Sequence, residues 1–301
     1  MKWTVLSDNR SCDTTFETEH GLSILLETEK HRILLDTGAS DVFIRNAKQM
    51  GIDLSTVDYV FISHGHSDHA GGLKHLMNIN DNAKVIVSPD AMSGRFYSKR
   101  GNLHSITAEW PKIGDGRLVL IDQTCAIAED IHVIAHIPQT YPMPKGNVNL
   151  YVQNTNDDLI HDDFRHELAL YVDGLLFTGC AHSGLENILA ACPWPVHTVV
   201  GGFHLLDDYE LTEQREPSSS HALDLWSLAT AGTQEWPSRD GSRRSQTEEE
   251  LAALAQRLKA KYPNTQFFTS HCTGDKVFAM LKAIMGNQLH AFSCGVTINR
   301  G

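Results

Sequence analysis

The chain has 301 residues, 41% of them hydrophobic and 21% charged, which is ordinary for a globular protein and enough for one large α/β domain or two modest ones. Its formal net charge of −12 disfavours partners held by phosphate neutralisation, so we expect no nucleic-acid partner. No apolar run approaches the ~20 residues that span a bilayer. The first residues turn polar too early for a signal peptide. We therefore expect a cytoplasmic protein without a membrane partner, whose six scattered cysteines are free thiols.

The first part of the chain predicts short strands that lead to a histidine-rich loop. Residues 3–6, 22–27 and 32–35 have the composition of strands, and the last two form a hairpin that ends in Asp36-Thr37-Gly38. Residues 58–63 form a short apolar strand that runs directly into His64-Gly65-His66-Ser67-Asp68-His69. Gly71-Gly72 and a short helix follow, so the histidine run lies on a strand-to-helix loop.

The second part repeats this plan of strands that end in polar loops. Residues 84–88, 118–121 and 132–135 predict strands, and a second hairpin ends at Gly179-Cys180-Ala181-His182. Ser183 with Glu186, and Thr247 with Glu250, predict capping boxes at two helix starts. Residues 198–202 and 266–269 predict strands that end at His204 and His271, and residues 207–246 predict an irregular insertion or flap.

The run from His64 to His69 has a specific chemical meaning in a loop. His64 and His66 can point toward one cation, while Asp68 and His69 turn with the chain toward a second. The alternative is a polar surface loop with incidental histidines. The position of the run after a buried strand and before two glycines disfavours that alternative.

This run, with Ala70-Gly71-Gly72 after it, resembles the signature of the metallo-β-lactamase superfamily. Residues 34–38 resemble that superfamily's first motif, in which the aspartate, here Asp36, supports the metal loop without binding metal. Residues 178–184, 201–204 and 270–274 resemble a branch labelled 7,8-dihydropterin-6-methyl-4-(β-D-ribofuranosyl)aminobenzene-5'-phosphate synthase-like metallohydrolases. The resemblance implies an α/β fold, the αββα four-layer sandwich, as a single domain over residues 1–301. It also implies two divalent metal ions, zinc by default, with manganese or iron as alternatives.

The resemblance further implies the remaining ligands. A histidine from a middle loop should complete the first site, and we favour His182 over the alternative His136; a late histidine, His271, should complete the second. Cys180 stands where the superfamily has a bridging aspartate. It could ligate a metal as a thiolate or pack under the loop, and we favour packing because a thiol that bridges two ions would be prone to oxidation. We expect His204 to contact the substrate or donate a proton, with a structural role as the alternative.

These expectations predict a hydrolase that acts on a small phosphate ester or phosphorylated metabolite. Two cations would activate a shared water, which Asp68 could orient, and His204 could meet the developing oxyanion. The alternatives are a condensation of the kind in the branch label and a non-catalytic metal sensor on the same scaffold. Lactam hydrolysis is less favoured, because the sequence lacks a predicted signal peptide.

Overall fold

The computed structural model describes residues 1–114, 116–205 and 246–299. Two mixed β-sheets pack face to face, and helices cover the outer surface of each sheet. This is the αββα sandwich that the sequence predicted. The predicted insertion at 207–246 lies outside the described residues, apart from its last position, and the single-domain interpretation stays a prediction.

The first sheet combines an antiparallel half with a parallel half. Its strand order is β18-β1-β2-β3-β4-β5-β8. The strands from β1 to β3 pair antiparallel, whereas β3, β4, β5 and β8 are parallel. The strands are β1 (Lys2–Ser7), β2 (Ser23–Glu27), β3 (Arg32–Leu35), β4 (Tyr59–Phe61), β5 (Lys84–Val87), β8 (Leu118–Leu120) and β18 (Thr297–Asn299).

The second sheet has the same plan and is formed by strands between residues 125 and 291. Its strand order is β17-β16-β15-β14-β13-β10-β9, and the strands from β14 to β17 are parallel. The strands are β9 (Cys125–Ala126), β10 (Ile131–Ile134), β13 (Ala169–Val172), β14 (Leu175–Phe177), β15 (Thr198–Val200), β16 (Gln266–Thr269) and β17 (Leu289–Ala291). The predicted hairpin is therefore confirmed as β13 and β14, joined by a turn at Asp173-Gly174.

Three apolar clusters define the four layers. The central cluster lies between the sheets, where Phe61 of β4 meets Phe177 of β14 edge to face. A second cluster joins the first sheet to α1 (Val42–Gln49), α2 (Ser67–Ala70), α3 (Leu73–Leu76) and α4 (Pro89–Ser93). A third joins the second sheet to α5 (Leu185–Ala191), α6 (Glu248–Lys261) and α7 (Asp275–Met285). Because both faces of the central strands are covered, these strands are apolar throughout rather than alternating. No helix in the described ranges is long and apolar enough to cross a membrane.

Two local features differ from the sequence prediction. A small third sheet has the order β12-β11-β6-β7, formed by β6 (Phe96–Ser98), β7 (His104–Ser105), β11 (Leu150–Gln153) and β12 (Leu159–His161). The capping box of Thr247 and Glu250 is confirmed, but that of Ser183 and Glu186 is wrong. The helix α5 begins at Leu185 with Gly184 as its N-cap, and the Ser183 amide, which the predicted box would pair with Glu186, donates instead to Glu167 Oε2 at 2.7 Å.

Candidate metal centre

The loops that carry the predicted site residues all leave the carboxyl ends of parallel strands. Asp36 follows β3, and His64 lies three residues beyond β4. In the second sheet, Cys180, His204 and His271 follow β14, β15 and β16 in the same way. The carboxyl ends of parallel strands share one edge of a sheet, so this arrangement gathers residues that lie far apart in sequence.

The first group consists of His64, His66 and His182, which offer ligand atoms within 4.8 Å of one another. The Nε2 atom of each ring is buried and has no hydrogen-bond partner in the described residues. Burial is the main cause that lowers the pKa of His64 and of His182 well below the usual value, so both rings are neutral. Buried nitrogen atoms rarely stay unpaired, and three neutral imidazoles gathered in this way fit a transition-metal ion.

Hydrogen bonds on the opposite side of the rings fix which nitrogen is available. Asn147 Nδ2 donates to the His182 carbonyl at 2.8 Å, so its Oδ1 faces His182 Nδ1 at 3.0 Å and accepts from it. Ser63 Oγ donates to Asp36 Oδ2 and therefore accepts from His64 Nδ1 at 2.8 Å. In both rings the proton is on Nδ1, which leaves Nε2 free to bind a cation.

The second group consists of Asp68, His69, Cys180 and His271. Asp68 Oδ2 lies 3.4 Å from His69 Nε2 and 3.3 Å from His271 Nε2, and these two nitrogen atoms are 3.2 Å apart. A tetrahedral zinc ion separates neighbouring nitrogen or oxygen donors by about 3.3–3.4 Å, as its bond lengths require. The donors therefore already have the spacing of one face of such a site.

The two groups are adjacent, since the ring centroids of His64 and His69 are 4.1 Å apart. All six residues predicted as ligands thus lie in one cluster. The alternative His136 is exposed and belongs to none of the candidate ligand groups in the described part of the chain.

Asp36 occupies the supporting position that the resemblance implied. Its carboxylate accepts hydrogen bonds from the Ser63 amide, the Ser63 hydroxyl and His69 Nδ1 at 2.6–2.7 Å. Burial lowers the pKa of His69, but the charges of Asp68 and Asp36 outweigh this and raise it to about 10. Asp36 therefore orients His69 and ties the end of β3 to the metal loop.

Two further buried carboxylates, which the sequence analysis missed, hold the other ligand loops. Glu167 accepts hydrogen bonds from the amides of His182 and Ser183, both at 2.7 Å. Asp8 accepts from the His271 amide at 3.1 Å and from the Ser270 hydroxyl at 2.7 Å. Asp8 directly follows the first strand, as Asp36 directly follows the third. This shared position could have indicated from the sequence that Asp8 supports a ligand loop. Glu167 carried no comparable signal.

Cys180 lies inside the second group rather than beside it. Its Sγ atom is 3.1 Å from His69 Nε2, and burial raises the pKa of the thiol well above its usual value. Cys272 lies next to Cys180. These two cysteines and His204 form another set of ligand atoms within 4.8 Å of one another. The sequence analysis favoured a packing role for Cys180, and it did not predict that the Cys180 sulfur atom lies this close to the predicted ligand His69.

His204 lies against the first group, with its ring centroid 4.2 Å from that of His182. It is 3% exposed, so the predicted substrate contact is buried in this structure. Its Nδ1 atom has no hydrogen-bond partner among the described residues, whereas Nε2 lies 2.9 Å from Arg100 Nη2. A structural histidine would have both nitrogen atoms paired, so the unpaired Nδ1 favours the ligand-contact interpretation.

The site loops also carry unusual backbone geometry. Asp36, Ala181, His204 and His271 have φ between 46° and 56°, a left-handed conformation that non-glycine residues seldom adopt. Such residues cost of order 1–3 kcal/mol each and persist where the surroundings fix them. Hydrogen bonds of buried carboxylates hold two of these residues in place. The Asp36 carboxylate bonds to Ser63 and His69, and Asp8 accepts from the His271 amide.

A second buried pair supports the histidine loop from outside. His166 Nδ1 accepts a hydrogen bond from the Gly65 amide at 3.2 Å, and its Nε2 donates to Asp162 Oδ2 at 3.0 Å. Asp162 Oδ2 in turn lies 4.0 Å from His66 Nε2. The same two side chains line a cavity of about 470 Å³, so there is room for a small molecule beside the cluster.

Comparisons with known proteins agree with this geometry. Residues 17–144 match the sequence family described as the metallo-beta-lactamase superfamily. The chain is 31% identical over 228 residues to uncharacterized protein MJ0448 of Methanocaldococcus jannaschii, which covers 74% of this chain and 86% of the relative. It is 28% identical over 229 residues to 7,8-dihydropterin-6-methyl-4-(beta-D-ribofuranosyl)-aminobenzene-5'-phosphate synthase of the same organism, which covers 68% of this chain and 77% of the relative.

A solved structure resembles the whole chain. The crystal structure of Tm1679, a metal-dependent hydrolase of the beta-lactamase superfamily, superposes with a TM-score of 0.74 at 25% identity, covering 100% of this chain and 99% of that one. The motifs, the fold and these relatives agree, and the chain belongs to the metallo-beta-lactamase superfamily.

Proposed function

We propose that the chain is a metal-dependent hydrolase that acts on a small phosphate ester or a phosphorylated metabolite. The observation that carries the proposal is the pair of adjacent groups of buried donors, of which the first leaves three Nε2 atoms unpaired. Under this proposal His64, His66 and His182 hold one divalent cation. Asp68, His69 and His271 hold the second, with Cys180 as a fourth donor. Zinc suits the imidazole and thiolate donors, with manganese or iron as alternatives.

Divalent cations held by these residues would supply Lewis acidity to a water molecule and to the bond under attack. The protein's own residues position the reactants. One oxygen of Asp68 faces the two histidines of its group, and the carboxylate is 18% exposed, so its other oxygen can orient a water. His204 offers a ring N–H to an oxygen that gains negative charge.

The phosphorylated substrate class draws support from one relative, whose name refers to a 5'-phosphate. The same name supports a second candidate, a condensation in which the centre would bind a diphosphate leaving group instead of activating water. A non-catalytic metal sensor is the third candidate. It would bind metal in the same residues but turn over no ester.

A metal analysis followed by a phosphoester panel tests the proposal. We expect close to two transition-metal ions per chain by mass spectrometry after purification without chelators. We also expect metal-dependent hydrolysis of p-nitrophenyl phosphate or bis(p-nitrophenyl) phosphate. Metal uptake without turnover of any ester would favour the sensor or the condensation. No uptake of Zn²⁺ or Mn²⁺ would refute the metal centre itself.

A further inference from the structure

The contact between Arg100 and His204 determines the protonation of His204. Arg100 lies between β6 and β7, and its Nη2 atom is 2.9 Å from His204 Nε2 and 3.4 Å from the Gly146 carbonyl. A guanidinium group can only donate hydrogen bonds, so His204 Nε2 must accept. An imidazole nitrogen that accepts a hydrogen bond carries no proton, so the ring is neutral. Its proton therefore lies on Nδ1.

This is the opposite arrangement to that of the predicted ligands. In His64 and His182, Nδ1–H donates to the protein and Nε2 is free to bind a cation. In His204 the nitrogen without a partner carries a proton, so it can donate but cannot ligate.

The position of this proton also argues against His204 as a metal ligand. Cys180, His204 and Cys272 offer ligand atoms within 4.8 Å, which is a plausible set for a soft metal ion. Binding through Nδ1 would require that atom to lose its proton while Nε2 still accepts from Arg100. A neutral imidazole has only one lone pair for these two tasks, so the set does not form a third metal site while the Arg100 contact is present.

We propose that Arg100 is a positioning residue that holds His204 as a fixed Nδ1–H donor for an anionic oxygen of the substrate. The inference rests on the proposed function, because it assigns an anionic substrate to the same site. The buried, unpaired N–H would recover a partner only when such an oxygen is bound. The preference for phosphorylated compounds would then come in part from this donor and in part from the charge of Arg100 next to it.

The test uses the full-length chain loaded with zinc and labelled with ¹⁵N-histidine. Two variants test the role of Arg100: Arg100→Met removes both its hydrogen-bond donors and its charge, and Arg100→Lys keeps both. Arg45→Met is the matched control, since Arg45 is an exposed arginine on α1 that pairs with Glu17 and belongs to none of the candidate ligand groups. The ¹⁵N shifts of His204, assigned by comparison with His204→Gln, report the tautomer, and titration with inorganic phosphate reports anion binding.

We expect the wild-type protein, Arg100→Lys and Arg45→Met to carry the proton on His204 Nδ1. Arg100→Met should move the proton toward Nε2 and weaken phosphate binding by about ten- to a hundredfold, the range for a hydrogen bond to a charged group. A wild-type proton on Nε2 would overturn the inference. So would Arg100→Met if either the tautomer or the phosphate affinity stays unchanged.

The tautomer is measured without turnover, so the two proposals fail separately. If the chain takes up no zinc or hydrolyses no ester, the proposed function fails. The ¹⁵N shifts of the metal-free chain and its phosphate titration still decide whether Arg100 orients His204 toward an anion.

Discussion

Asp36 Oδ2 lies 2.6 Å from His69 Nδ1, and both side chains are fully buried. The same carboxylate accepts two hydrogen bonds from Ser63, one from its amide and one from its hydroxyl. One residue at the end of β3 therefore determines the orientation of His69 and the path of the loop that carries the other ligands.

Asp36→Asn should weaken metal binding while the protein stays folded. The asparagine amide can accept at only one of its two atoms, so at least one of the three hydrogen bonds is lost. Loss of such support typically costs about 10–100-fold in metal affinity. Competition with a chromogenic zinc chelator measures the effect. Asp53→Asn, at an exposed cap that accepts from the Ser55 amide, is the control and should bind metal normally. Equal affinity in the two variants would remove the supporting role of Asp36.

Metal binding at the second group should release a proton from His69. In the metal-free protein the pKa of this side chain is raised to about 10, so its Nε2 is protonated at neutral pH. A cation must displace that proton. Its apparent affinity should therefore rise with pH up to about pH 10, by up to about tenfold per unit if one proton is released. Calorimetry in buffers of different ionisation enthalpy counts the protons directly. Zinc affinity that is the same at pH 7 and pH 9 would contradict this assignment.

Cys180→Ser should separate ligand from packing roles. If the thiolate is the fourth donor to the second cation, the serine variant loses about 10–100-fold or more in metal affinity with little change in melting temperature. In the Co²⁺-loaded protein it should also lose the sulfur-to-metal charge-transfer absorption. Cys180→Asp should recover part of the affinity, because a carboxylate stands at this place in the general superfamily plan.

The half-buried Cys192 provides the matched control, and Cys192→Ser should change none of these readouts. An unchanged affinity in Cys180→Ser, together with a destabilised Cys180→Asp, would restore the packing interpretation.

His66→Ala should abolish turnover and leave a soluble, folded chain. The substitution removes one of three imidazoles from the first group, but the loop keeps the hydrogen bonds that Asp36 and His166 make to it. His136→Ala, at an exposed position outside the cluster, should retain wild-type kcat. Circular dichroism checks folding in both variants. Wild-type turnover in His66→Ala would mean that the histidine run is not the reactive centre.

The sequence alone was sufficient for the parts of the site that are local. The histidine run lies within six residues, and short apolar strands before His64, His182 and His271 indicated that these loops leave a sheet edge. The fold class followed from the same motifs through the family resemblance.

The supporting contacts could not be predicted in the same way. The amide of His271 bonds to a side chain 263 positions earlier, and that of His182 to a side chain 15 positions earlier. The contact between Arg100 and His204 spans 104 positions. Such pairs arise from the tertiary packing of loops and strands, which a single sequence does not encode as a visible pattern. The small third sheet was missed because its strands have only two to four residues each.

The bond from Asp8 to His271 has a consequence for how this protein can be cut and rejoined. Asp8, directly after the first strand, holds the amide of the predicted ligand His271. The same strand pairs with β18 over Lys2, Trp3 and Thr4. Trimming the first ten residues would therefore disturb the second cation group rather than only a sheet edge. Linking β18 to β1 and opening the chain at an exposed loop elsewhere would preserve every contact of the cluster. Circular permutation is thus a gentler way than truncation to engineer this chain.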